Sequence, residues 1–129
     1  GGCAAGLHAL LGAQLDSGFE LLSDLARLDE KIAKADLVIT AEGRLDGQSI
    51  HGKLPSALGR KCKALNKPLI VFAGALEGSF EGLYEMGVHG IFSIQSGPIS
   101  LAESKAQAAN LLQEAVKRFF YFYQNQLPL

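Results

Sequence analysis

Apolar positions along the chain fall into blocks whose spacing switches between helical and extended. Ala4 to Leu15 reads as a helix of small and apolar residues after the Gly1-Gly2 turn, and Asp16-Ser17-Gly18 breaks it. Phe19 to Leu28 resumes helical spacing, with Phe19, Leu22, Leu25 and Ala26 on one face. Asp29 has the chemistry to cap a short turn over Glu30 to Lys34. Asp36-Leu37-Val38-Ile39-Thr40 is short, β-branched and apolar almost throughout, which predicts a strand buried on both faces. A polar, glycine-bearing loop from Glu42 to Ser49 comes next. Lys53 to Leu65 is predicted as a helix, with Pro55 tolerated in its first turn, and Asn66-Lys67-Pro68 ends it. Leu69 to Gly74 is a second buried strand. Ser79 is placed to cap a short helix that Gly87 closes at Met86. Gly90 to Ile94 is a third strand, broken off by Ser96-Gly97-Pro98. Ser100 and Glu103 have capping-box spacing and open a long helix to about Gln124.

The order is helix, helix, then β-α-β-α-β-α. Strands separated by helices pair in parallel through crossovers. The predicted class is therefore α/β: a three-layer open parallel sheet with helices on both faces. Three strands are few for that class, so the pattern points to part of a larger domain.

Composition narrows the function classes. The 129 residues carry 12 Lys plus Arg against 13 Asp plus Glu, a formal net charge of -1. That balance offers no basic footprint for nucleic acid and no polybasic patch for a membrane. Apolar residues make up 48% and charged ones 19%, which excludes a disordered chain. No apolar run approaches the roughly 20 residues of a membrane span. Cys3 and Cys62 have no metal or redox-motif spacing and read as two buried or idle thiols of a reducing, cytoplasmic protein. The start at Gly1, with no Met and no cationic or apolar leader, fits a processed start, a tag scar or the interior of a longer chain.

Ligands of open α/β sheets bind beyond the carboxyl ends of the strands. The segment after the first strand is the richest there, holding Glu42, Arg44, Asp46, Gln48, Ser49, His51 and Lys53. Glu77 lies after the second strand, and Gln95 and Ser96 after the third. Gly47 to Leu54 matches G-x-x-x-x-G-K, but Leu54 replaces the hydroxyl that would hold Mg²⁺, and Glu42 to Asp46 separate the pattern from its strand. A helix N-terminus at Gly52 with the charge of Lys53 still suits an anion, while a plain helix start with a solvated lysine accounts for the same residues. Asp46 has the chemistry of a Mg²⁺ ligand or a base for a hydroxyl proton, and Arg44 that of a clamp for carboxylate or phosphoryl groups. A local ion pair fastening the loop is the competing reading of both. Gly1, Gly2 and Gly6 resemble the end of a phosphate-cradling loop, or else serve close helix packing. His8, His51 and His89 lack metal-ligand spacing. His8 reads as a capping or packing residue and His89 as solvent-facing. No Gly-x-Ser-x-Gly elbow is present. Phe119 to Tyr123 reads as core and interface.

Taken together, Gly1-Gly2-Cys3-Ala4-Ala5-Gly6-Leu7, Leu11-Gly12-Ala13, Gly18-Phe19-Glu20-Leu21, the block from Asp36 to Ser49 and His51-Gly52-Lys53 resemble the carboxy-terminal third of bacterial glycerate kinases. Val71-Phe72-Ala73-Gly74 and Gly90 to Ile94 agree in order and spacing. Cys3 and Ala41 stand where that family usually has glycine. The resemblance implies phosphorylation of glycerate by ATP and Mg²⁺, a phosphotransferase with an alcohol acceptor. It implies that this segment is the later part of a split, Rossmann-like domain, with the earlier strands, an inserted domain and an Asp-Ser-Phe-Lys motif lying outside it. On that basis Asp46, Lys53 and Arg44 are expected to be catalytic, with Asp46 the candidate Mg²⁺ ligand. Gln48, Ser49, Gly52, Gly1 and Gly2 are expected to bind substrate or phosphate. The expected partners are glycerate, ATP and the remainder of the kinase chain, with a homodimer as the solution for exposed sheet edges. The segment alone is expected to be inactive. A non-catalytic nucleotide or small-anion binding module, or a purely structural piece, is the alternative reading.

Overall fold

The computed structural model describes residues 2–46 and 54–126. Three parallel strands, β1 (Val38–Glu42), β3 (Leu69–Ala73) and β5 (Gly90–Ser93), form a sheet in the order β1-β3-β5. Val38 pairs with Leu69 and Glu42 with Ala73 on one side of β3, and Ile70 pairs with Gly90 on the other. All five residues of β3 are buried, as its unbroken run of apolar side chains predicts for a central strand. The first strand departs from expectation. It begins at Val38 rather than Asp36, and it alternates between half-buried and exposed instead of being buried on both faces. The reason is its place at the end of the strand order, where Ile39 stays 41% exposed.

The period-two alternation of β3 builds two cores, so the chain forms the three layers expected of it. Leu69, Val71 and Ala73 face Ile32 of α3 (Leu28–Lys34), Leu58 and Cys62 of α4 (Leu54–Ala64) and Leu83 of α5 (Glu81–Glu85). Ile70 and Phe72 face the opposite way, toward α7 (Ala108–Gln126), whose Leu111, Leu112, Ala115, Val116 and Phe119 recur at helical spacing. Each fully buried side chain of this kind contributes about 1.5–3 kcal/mol. Cys62 sits in the first core, and that burial pushes its thiol up; Cys3 is exposed. No helix among the described residues is long and apolar enough to cross a membrane.

Several helix limits differ from the sequence reading. The first helix, α1, runs Gly2–Leu11 and stops short of Leu15 because Gly12 turns to φ +63°, and the His8 ring closes the turn on the Ala13 carbonyl at 2.8 Å. The second, α2, runs Gly18–Leu25 with Ser17 as its cap. Of the predicted face only Phe19 packs inward, beside Ser23; Leu22 and Leu25 are 66% and 74% exposed. Lys61 of α4 lies against this helix, meeting Glu20 at 3.3 Å and Asp29 at 3.1 Å, with its ammonium 6.0 Å from the Phe19 ring centre. Hydrogen bonding to Asp29 is the largest influence holding the Lys61 ammonium above its usual range, with burial opposing it and Glu20 reinforcing it. Asp29 thus ties helices together rather than capping, and α3 follows Arg27 in the left-handed region.

Ser79 accepts from the Glu81 amide at 3.5 Å, but the residue at the cap of α5 is Phe80. Gly87 closes α5 as predicted, at φ +104°, where a Cβ would stand 2.5 Å from the Gly59 carbonyl. The capping box is formed: Ser100 accepts from the Glu103 amide at 3.2 Å, and the Glu103 carboxylate accepts from the Ser100 hydroxyl at 2.7 Å and amide at 3.0 Å. Those bonds hold Glu103 below the usual carboxylate range. The long helix it opens is two pieces, α6 (Leu101–Ala106) and α7, parted at Gln107.

Candidate functional site

The chain does not become an irregular loop after β1. Both β1 and β3 pass a glycine and resume as a second parallel pair, β2 (Leu45–Asp46) and β4 (Leu76–Glu77), with Leu45 opposite Leu76 and Asp46 opposite Glu77. Leu45 is wholly buried in the first core, which draws its backbone out of the predicted loop and into a strand. A signal for this was present in the sequence: Gly43-Arg44-Leu45-Asp46 and Gly74-Ala75-Leu76-Glu77 repeat the same glycine-x-leucine-acid pattern.

The two glycines permit a close crossing of the chains. A Cβ on Gly74 would lie 2.5 Å from the Gly43 carbonyl oxygen. The crossing is tied by the Gly74 amide donating to the Glu42 carbonyl at 3.0 Å and the Leu45 amide donating to the Ala75 carbonyl at 2.9 Å. It sets Arg44, Asp46 and Glu77 at the carboxyl end of the sheet. The Arg44 guanidinium pairs with the Glu77 carboxylate across the crossing, and both side chains are largely exposed. Exposed pairs of this kind contribute only about 0–1 kcal/mol, so an incoming anion can displace Glu77 at little cost. Sequence reasoning named Glu77 as a loop residue but did not pair it with Arg44.

Beside the crossing opens a cleft of about 880 Å³. Glu42, Arg44 and Glu77 line it from the strand ends, Phe72 and Ile94 from the sheet, and the α6–α7 corner from the other side. Gln95 also lines it, with its side-chain amide donating to the buried Ser104 hydroxyl at 3.3 Å and its backbone amide donating to Ser93 at 3.1 Å.

Of the residues expected at a site, Arg44 lines the cleft. Asp46 is half-buried on β2 and is not among the lining residues. Gly2 opens α1, exposed, with open space around it, and does not line the cleft. Gly1, Gln48, Ser49, Gly52 and Lys53, together with His51 and the Gly47 to Leu54 pattern up to Lys53, lie outside the described residues. Among the described residues no three His, Cys, Asp or Glu side chains gather into a metal cage. A Mg²⁺ carried by substrate phosphates and water needs only one or two protein carboxylates, and Asp46 is of the right kind.

Comparison with known proteins places this geometry in context. A family model described as "Glycerate kinase family" matches residues 1–124. A glycerate kinase of Halalkalibacterium halodurans is 38% identical over 117 residues, covering 91% of this chain and 31% of that protein. A glycerate 2-kinase of Escherichia coli is 40% identical over 104 residues, covering 81% and 27%. The crystal structure of a putative glycerate kinase 2 from Salmonella typhimurium LT2 superposes with a TM-score of 0.63 at 36% identity, over 95% of this chain and 31% of that one. The chain therefore spans less than a third of the length of these relatives.

Proposed function

The chain belongs to the glycerate kinase family, and from that membership we propose that it forms one wall of a site where ATP phosphorylates a hydroxyl of glycerate. The observation that supports this most is the position of Arg44 and Asp46 just beyond the carboxyl end of β1, with Arg44 lining a large cleft. In the reaction the glycerate hydroxyl oxygen bonds to the γ-phosphorus, the bond to the ADP oxygen breaks, and the hydroxyl proton leaves. Such transfers depend chiefly on positioning and on positive charge around the phosphoryl oxygens. Arg44, released from Glu77, and Lys53 supply that charge. Asp46 takes the hydroxyl proton or holds Mg²⁺. The ion, when bound, neutralises phosphate charge. Gln48, Ser49, Gly52, Gly1 and Gly2 are proposed to bind substrate or phosphate, the glycines through their backbone amides.

The rest of a longer kinase chain is the proposed partner. The segment exposes 8767 Å², where a compact monomer of its mass exposes about 6,600 Å². Leu10, Leu11, Leu22 and Leu25 of the first two helices contribute to that excess. In the absence of such a partner a second copy would cover the same surface, giving a homodimer. A cytoplasmic setting, where ATP is available, completes the proposal.

A coupled assay of ADP release with D-glycerate tests it. The full-length protein carrying this segment is expected to turn over at about 1–100 s⁻¹. The 129-residue chain alone, with one wall of the site, is expected to show no glycerate-dependent release. A full-length protein that binds nucleotide without glycerate-dependent turnover would instead be a binding module.

A further inference from the structure

We infer that the 880 Å³ cleft between the sheet ends and the α6–α7 corner receives the purine nucleoside of the phosphoryl donor, not glycerate. This rests on the kinase reading above for the identity of the donor. The volume lies within the range of about 300–1,000 Å³ that encloses drug-sized ligands, and is far too large for a three-carbon acid. The chemistry of the walls agrees. Leu76, Leu101 and Leu112 give the cleft its apolar walls, with the buried Phe72 and Ile94 at its floor. Glycerate carries a polar group on every carbon and would lose hydration against them without compensation. A purine has two apolar faces and a polar edge, so its faces suit those walls.

The edge also has a reader. Gln95 is half-buried at the end of β5, and Ser104 fixes its amide by accepting one of its N–H groups. No hydrogen bond to the amide oxygen occurs among the described residues, which leaves that oxygen free to accept from the exocyclic amine of adenine. Arg44 stands on the strand-end side of the same cleft, so a nucleoside seated against Gln95 directs its phosphates toward the β1–β2 crossing. Lys105 of α6 also lines the cleft and adds a second cation for them.

The test uses the 129-residue chain and the fluorescent nucleotide mant-ATP, with adenosine and inorganic triphosphate as competitors. Ala109, an exposed α7 residue on the cleft wall, is changed to Trp to fill the space, and Gln95→Met removes the reader. Circular dichroism confirms the fold of each variant. Adenosine is expected to compete with mant-ATP. Ala109→Trp is expected to weaken mant-ATP binding at least about tenfold, and Gln95→Met about three- to tenfold, within the range of one hydrogen bond. Triphosphate binding should change less than about twofold. The inference is overturned if the folded wild-type chain does not bind mant-ATP, if adenosine does not compete, or if both folded variants bind as the wild type does. In the full-length protein, glycerate phosphorylation with an ATP KM unmoved by Ala109→Trp would remove the pocket and leave the kinase. Adenosine binding without any phosphorylation would remove the kinase and leave the pocket.

Discussion

Asp46→Asn in the full-length protein is expected to lower kcat/KM for glycerate at least about a hundredfold, or roughly 2.7 kcal/mol of transition-state stabilisation. The substitution keeps the size of the side chain and removes its charge. Both roles proposed for Asp46 need that charge, because a neutral amide neither accepts the hydroxyl proton nor holds Mg²⁺ well. Asp46 enters the β2–β4 pair through its backbone, opposite Glu77, and Asn keeps that pairing; circular dichroism checks that the variant is folded. A Mg²⁺ titration divides the roles: a ligand's loss raises the Mg²⁺ concentration needed for half-maximal rate, whereas a base's loss leaves it unchanged and lowers kcat. Wild-type kinetics would reduce Asp46 to a structural residue of β2.

Phe72→Ala is expected to destabilise the chain by about 3–5 kcal/mol, the cost of emptying a large buried aromatic site. Phe72 is 1% exposed in the fully buried central strand. Its ring centre lies 5.7 Å from that of Phe92 and 6.0 Å from that of Phe119, the latter edge-on. The contact with Phe119 holds α7 against the sheet. Since whole domains are stable by about 5–15 kcal/mol, the loss is a large share. Urea unfolding reads it as a lower midpoint with an unchanged slope. A change below about 1 kcal/mol would show that the α7 face contributes little to the folded state.

The fold was largely legible because its strongest signals are local. The run Leu69 to Ala73 can only be a buried strand, Ser100 and Glu103 announce a helix start, and Gly87 a helix end. The errors fall where tertiary contacts decide. Helical spacing put Phe19, Leu22, Leu25 and Ala26 on one face, but periodicity finds an apolar stripe without saying what covers it; only Phe19 packs on the core, while Leu22 and Leu25 stay exposed. The break at Gln107 carries neither glycine nor proline to mark it. At the site, Arg44 was legible as a charged residue past a strand. Its pairing with Glu77 depends on two distant glycines crossing, which no local pattern encodes. The glycine-x-leucine-acid repeat was visible, yet it takes on meaning only once β2 and β4 are seen side by side.

The most direct measurement is a segment exchange. The part of the Escherichia coli glycerate 2-kinase that matches this chain, 27% of its length, is replaced by these 129 residues, and glycerate-dependent ADP formation by the folded hybrid is followed. If the chain supplies one wall of a glycerate kinase site, the hybrid turns over within about tenfold of the parent enzyme, a difference of roughly 1.4 kcal/mol in the barrier, and loses that activity with Asp46→Asn. A hybrid that folds and binds both substrates but forms no ADP would contradict it, as would one whose activity is indifferent to Asp46.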